Sequence, residues 1–415
     1  MTDIRRWTSA FEIQDIAHAR WLAMEGLRGL AVTLVFFVHY SALVGPLVGP
    51  KPESLIWFNA IHEIGNEGVD LFFVISGFLI YKACIHKPLN LLSYTARRFE
   101  RIYPTFLVVL VLYITVMLLL PSSNKLPATI MEKVFYVACN LLLLPGMLDI
   151  IPIITVAWSL SYEAFFYALA PLAVITMKMR TWRSTYRVAF FVTVFAVMTM
   201  AADSGYFGHS RAPRFLGGML LYEIKYHQTS PAIQLPKGIT ADSIALVLLV
   251  LGTAMFTFLG TTRSLIEGTV LNYIPPYAKF PIINLVFTNL VYRCLFTKGL
   301  IVRIFSYSPL RWLGNMSYSY YLFHGFALQI FFKLVTPLIP EFAHATWLYL
   351  ALLLPAFVTS IALSIPLYLF VERPFSLNSH VRGKGIMNRL TNCVGPAKKS
   401  RVSETQGPPP PDRRP

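Results

Sequence analysis

Residues 25–40 read EGLRGLAVTLVFFVHY. Ten uncharged residues separate Arg28 from His39. That is half of the ~20 helical residues needed to cross a hydrocarbon core of about 30 Å. The segment therefore reads as a membrane helix, yet it carries an arginine at one end and a histidine deep toward the other. Such groups are costly there, ~2.5–3.5 kcal/mol for Arg, Lys or Asp at a helix centre on insertion scales. Eleven residues turn a helix through about 1100°, some 20° past three whole turns, so both groups share a face roughly 16 Å apart along the axis. They form either one polar stripe or two unrelated helix-end contacts, and the rest of the chain decides between these.

The 415 residues are 55% hydrophobic and 13% charged, with a mean hydropathy of +0.57. Soluble domains carry roughly 25% charged residues, so this composition indicates an all-α, polytopic membrane protein. A net charge of +16 would suit nucleic acid, but the basic residues lie scattered between apolar runs. That pattern fits the positive-inside bias instead, and no nucleic-acid partner is expected. Cys84, Cys139, Cys294 and Cys393 form no CxxC pair, which argues against a disulfide framework or a metal site. The first 24 residues carry no cleavable signal pattern, so the first span itself is expected to direct insertion.

Apolar runs begin near Leu27, Val69, Ile102, Val156, Val188, Phe215, Ile244, Phe280, Trp312 and Trp347. They predict about ten transmembrane helices. Val134–Leu144, followed by Pro145-Gly146, is too short to span and reads as one re-entrant or interfacial segment. With both termini cytoplasmic, 27 of the 36 Lys and Arg fall on inner segments, the asymmetry expected of multi-pass topology. Three regions result: a cytoplasmic segment over 1–24, a membrane domain over 25–375, and a basic, Pro-rich tail over 376–415 whose composition cannot build a core. No internal repeat suggests a transporter built from related halves.

Four further stretches could carry chemistry. GNEGVDLFFVISGFLI (65–80) opens with Glu67 and Asp70, suited to a helix N-terminus, and Ser76-Gly77 permits close helix contact. SYTARRFERIYP (93–104) gathers Arg97, Arg98 and Arg101, with Pro104 suited to a first helical turn. Such a cluster is either a topology anchor or a phosphate-binding site, because guanidinium groups bind phosphate bidentately. VAWSLSYEAFFY (156–167) sets Glu163 among Ser159 and Ser161, as a proton-exchanging carboxylate or a helix-start residue. LRWLGNMSYSYYLFHGF (310–326) places His324 two turns after Ser317, on the same face.

In this order, EGLRGLA with His39, GVDLFFVISGFLI, RRFERIYP, WSLSYEAFFY and LGNMSYSYYLFH resemble the membrane-bound acyltransferase family 3, which O-acylates sugars and related acceptors. The match runs from about Ala23 to Phe375. Two departures are mild: Glu25 stands where the family usually has Asp, and Tyr162 where it usually has Val. The resemblance implies His39 as general base or transient acyl carrier, either of which imidazole chemistry permits. It further implies Glu163 assisting proton transfer or orienting the acceptor, and Arg28, Arg98 and Arg101 binding the donor, by default acetyl-coenzyme A as co-substrate with no bound cofactor or metal. Glu25, Asp70, Ser159, Ser161, Ser317 and His324 are supporting candidates. The acceptor would be an envelope or secreted carbohydrate, and the membrane the inner (plasma) membrane. The sequence carries no appended esterase-like domain, so direct transfer, a separate periplasmic transferase or polysaccharide assembly machinery would complete the reaction. A small-solute or glycan exporter, or an interaction subunit, would share the composition without consuming acyl groups.

The topology is open to cysteine labelling in intact cells. A cysteine at Ser403 is expected to stay unlabelled from outside and one at Ser54 to react; labelling at Ser403 would defeat the arrangement.

Overall fold

The computed structural model describes residues 10–12, 21–49, 56–120, 125–148, 150–203, 211–226, 242, 276–340 and 344–377. These are mainly helical, with no strand among the described residues. In chain order the helices are α1 (Leu22–Val48), α2 (Ile56–Asn66), α3 (Gly68–His86), α4 (Leu91–Leu119), α5 (Ile130–Leu141), α6 (Trp158–Thr176), α7 (Ser184–Asp203), α8 (Arg214–Tyr226), α9 (Pro276–Phe296), α10 (Leu300–Phe305), α11 (Ser308–Asn315), α12 (Ser317–Val335) and α13 (Leu348–Leu367), continued by a π-helical stretch, Tyr368–Leu377.

Among the described residues seven helical spans are long and apolar enough to cross a membrane: Leu22–Val48, Trp57–His86, Leu91–Leu119, Thr155–Thr176, Ser184–Ala201, Ser317–Leu338 and Leu348–Ser376. The protein is a multi-pass membrane protein. Of the ten expected runs, that at Phe215 becomes the 13-residue α8, and that at Phe280 yields only the shorter apolar helix Pro281–Phe296. The run at Ile244 and the tail beyond 377, with Cys393, lie outside the described residues. The stretch around Val134–Leu144 contains α5, whose 12 residues span about 18 Å at 1.5 Å each. Thr129 and Glu132 close a capping box at its start, and Ile130, Met131, Val134 and Phe135 leave an apolar face exposed. Pro104 departs from the first-turn expectation. Helix α4 begins thirteen residues earlier, where the Asn90 side chain accepts from the Ser93 N–H at 3.0 Å.

Several charges drawn into this bundle are paired, and each pair joins two different helices. Asp70 of α3 meets Arg214 of α8 at 3.1 Å. Arg187 of α7 meets Glu223 of α8 at 2.7 Å, which also accepts from Tyr81 of α3. Glu25 of α1 meets Arg311 of α11 at 2.9 Å. These contacts fix helix directions. Arg28 with Ser317 and His39 with His324 set α1 parallel to α12, whereas Leu47 meets Ala345 at the far end, so α13 returns antiparallel. Helices α1, α4, α7 and α12 therefore begin at the end of the bundle where α3, α6, α8 and α13 finish.

Two glycines allow the close crossing of α3 and α8. A Cβ on Gly218 of α8 would collide with the backbone of Val74 and Phe78 in α3, and one on Gly77 with the Phe215 carbonyl. Gly218→Ala is therefore expected to destabilise the solubilised protein by ~1–3 kcal/mol through overpacking. Gly45→Ala, which meets only Phe58 at an ordinary 3.7 Å, should be neutral or stabilising because alanine favours helix. Equal thermal midpoints for the two variants would refute this account of the crossing.

Candidate active site

One cavity of about 170 Å³ lies among α1, α3, α4, α6 and α12. Three guanidinium groups, Arg28, Arg98 and Arg101, and one carboxylate, Glu163, line it, together with Ser76, Ser159, Tyr167, Ser317, Tyr318 and Tyr321. Residues far apart in sequence meet because the α1, α4 and α12 starts lie at one end of the bundle. The cavity follows α3 from Val69 to Ile80, about 16 Å at 1.5 Å per residue. Small-molecule pockets run roughly 300–1,000 Å³, so it accommodates the tip of a large ligand.

The three arginines are held differently. Arg28 donates to Ser317 Oγ at 2.8 Å. Arg98 lies between the Tyr94 and Tyr167 rings, 5.2 and 5.0 Å from their centroids, and its Nε has no hydrogen-bond partner. Arg101 donates to Glu372 Oε1 at 3.0 Å and stacks over Tyr318. Among the described residues no carboxylate pairs with Arg28 or Arg98. Arg97 is exposed and outside the lining. Glu163 accepts from Tyr167 at 2.5 Å and from Ser76 at 3.0 Å. Its partner Ser76 sits in the middle of α3, so the carboxylate is deep in the bundle.

The two histidines lie outside this lining and face each other, ring centroids 5.0 Å apart. His324 is fully buried. Its Nδ1 lies 3.0 and 2.8 Å from the carbonyls of Tyr320 and Tyr321, which can only accept, so Nδ1 carries the proton. Nε2 then holds a lone pair, and it has no hydrogen-bond partner. The arrangement suits one imidazole orienting the other.

Other expected site residues are elsewhere. Asp70 is fully buried against Arg214, and Glu25 joins Arg311 and Asn315 at the start of α1. Ser161 accepts from the Gly146 N–H at 3.0 Å and holds the turn after α5. Ser159 does line the cavity and bonds Tyr321 at 2.6 Å. Sequence reasoning passed over Tyr167, Tyr318, Tyr321 and Glu372. Tyr167, four residues after Glu163, shares its helix face, and Glu372 is an acid ending an apolar run; both signals were present.

Comparison with known proteins adds the family. O-acetyltransferase OatA of Staphylococcus aureus (strain MRSA252) is 27% identical over 407 residues, 92% of this chain and 60% of its own. Exopolysaccharide production protein ExoZ of Rhizobium meliloti (strain 1021) is 26% identical over 279 residues, 65% of this chain and 78% of its own. The chain spans 56% to 60% of the length of the Staphylococcus aureus relatives it matches. No solved structure matches. The family model described as an acyltransferase domain matches residues 21–369, and with the membrane helices and the site just described the chain belongs to the acyltransferase 3 family.

Proposed function

We propose that the protein moves an acyl group, by default acetyl, from acyl-coenzyme A to a hydroxyl of an envelope or secreted carbohydrate, working in the inner (plasma) membrane. The observation that carries this reading is the convergence of Arg28, Arg98 and Arg101 with Glu163 in one cavity. Guanidinium groups without a carboxylate partner, as at Arg28 and Arg98, are expensive within a membrane bundle and suit a ligand bearing phosphates. The names of OatA and ExoZ, an O-acetyltransferase and an exopolysaccharide production protein, favour acetyl as the group and carbohydrate as the acceptor.

In this reading the arginines hold the donor's phosphates at the cavity mouth and its thioester reaches inward. The acceptor hydroxyl oxygen attacks the thioester carbonyl carbon. The C–O bond forms, the C–S bond breaks, and the proton released by the hydroxyl passes through a base to the departing coenzyme A thiolate. His39 is that base or carries the acyl group between two such steps, with the unprotonated Nε2 of His324 orienting its ring. Glu163, bonded to Tyr167 and Ser76, assists the proton or positions the acceptor.

His39→Ala and His39→Gln should each abolish transfer of radiolabelled acetyl groups to glycan by membranes in which the protein is inserted normally, since neither side chain is a base or a nucleophile at neutral pH. More than a few per cent of residual transfer would remove His39 from the mechanism. Arg98→Lys keeps the charge but not the bidentate geometry. Removing one charge-assisted hydrogen bond costs ~1.5–3 kcal/mol, so the KM for acetyl-coenzyme A should rise about tenfold or more. Arg101→Lys should do less, because Glu372 already engages that cation. An unchanged donor dependence in Arg98→Lys would make the arginine a topology anchor only.

A further inference from the structure

A second cavity of about 450 Å³ lies between α4, α12 and the segment leading into α6. Helices α4 and α12 and the start of α6 contribute to both, whereas α1 and α3 line only the first. Helix α4 lines the first with Arg98 and Arg101 and the second with Tyr113; helix α12 lines the first with Ser317 and Tyr321 and the second with Phe326 and Lys333. Around the start of α6, Ser159 faces the first cavity and Thr155 the second. Between them stands a hydrogen-bonded partition. Tyr321 and Ser159 hydroxyls lie 2.6 Å apart and each is 3.1 Å from the Val156 carbonyl, so one hydroxyl donates to the other, which donates to the carbonyl. From Ser317 to Lys333 is about 24 Å of helix at 1.5 Å per residue, so the cavities open toward opposite ends of the bundle.

The second cavity has its own chemistry. Lys125 and Lys333 line it, no carboxylate does, and neither lysine has an ion pair among the described residues. Phe326 and Tyr113 rings, centroids 5.3 Å apart, offer apolar faces, and Thr155 and Gln329 offer hydrogen-bonding groups. Two uncompensated cations beside low-dielectric walls attract an anion. Flat rings beside amide and hydroxyl groups suit a sugar, which presents C–H faces and hydroxyl edges.

We infer that this cavity is the acceptor's seat and that the acceptor is an acidic carbohydrate, bearing a carboxylate or a phosphate. The inference rests on the acyl-transfer reading above. Donor and acceptor then approach the Tyr321–Ser159 partition from opposite ends of the bundle.

The test uses the full chain in discs of zwitterionic lipid with three oligosaccharide probes: one bearing uronic acids, its carboxyl-reduced neutral counterpart, and a phosphorylated neutral one. Binding affinity and acetyl transfer are both measured. The wild type should bind a charged probe at least about tenfold more tightly than the neutral one, the scale of one charge-assisted contact. Which charged probe wins distinguishes carboxylate from phosphate. Lys125→Glu with Lys333→Glu should abolish the preference, and Lys125→Arg with Lys333→Arg should retain it. Both lysines are exposed, so these variants are expected to keep the wild-type thermal midpoint. Equal binding of charged and neutral probes, or an unchanged preference in the double Glu variant, would overturn the acidic-acceptor inference while leaving acyl transfer standing. Charge-selective binding at the lysines with no transfer to any probe would instead overturn the acceptor assignment and count against the acyl-transfer reading, leaving an anion site.

Discussion

A charge drawn from water into an apolar bundle costs several kcal/mol unless a partner compensates it, and that constraint organises this molecule. Asp70 with Arg214, Glu223 with Arg187, and Glu25 with Arg311 each join two helices. Removing one partner would leave the other charge stranded in low dielectric, a loss of ~3–5 kcal/mol in buried pairs. The pairs thereby specify which helices meet and in which direction. Against this background the exceptions stand out. Arg28 and Arg98 border a cavity with a hydroxyl and two aromatic rings as their contacts, so their charges are available to a ligand.

Glu372 connects the two classes. It is fully buried. One oxygen accepts from Arg101 and the other from the Ser319 backbone N–H at 2.8 Å. That N–H is among the first four of α12, which have no partner within their own helix, and the carboxylate also favours the positive end of the helix. The same helix start presents Ser317 to Arg28. A single side chain from the last helix therefore fixes the α4 arginine and the helix end that receives the α1 arginine.

Much of this architecture was legible locally. Hydropathy located the seven long spans, and helical periodicity brought Arg28 with His39, and Ser317 with His324, onto faces that meet. Motif order conveyed the family. What local reading could not supply was pairing across the chain. Asp70 and Glu25 look like site acids because lone carboxylates beside apolar runs attract a functional reading, and their cations lie 144 and 286 residues away. Glu372 is 271 residues from Arg101. Pro104 misled for a different reason: it marks a permitted first turn, but the Asn90 cap and the polar stretch before it had already begun the helix outside the apolar run.

The histidine pair explains why the polar stripe on α1 extends so deep. Arg28 stands at the level of Ser317, and His39 at the level of His324. The stripe therefore carries two stations: a cation toward the end where α12 begins, and an imidazole pair farther along. His324 donates through Nδ1 to its own helix backbone, which leaves its basic nitrogen free within a buried site. A fixed tautomer is useful for moving a proton, because the accepting lone pair is set before the partner arrives. Cations bind and neutral imidazoles accept protons most effectively when kept apart, since a nearby guanidinium would disfavour the protonated ring. The eleven-residue interval supplies that separation while keeping both stations on one helix face.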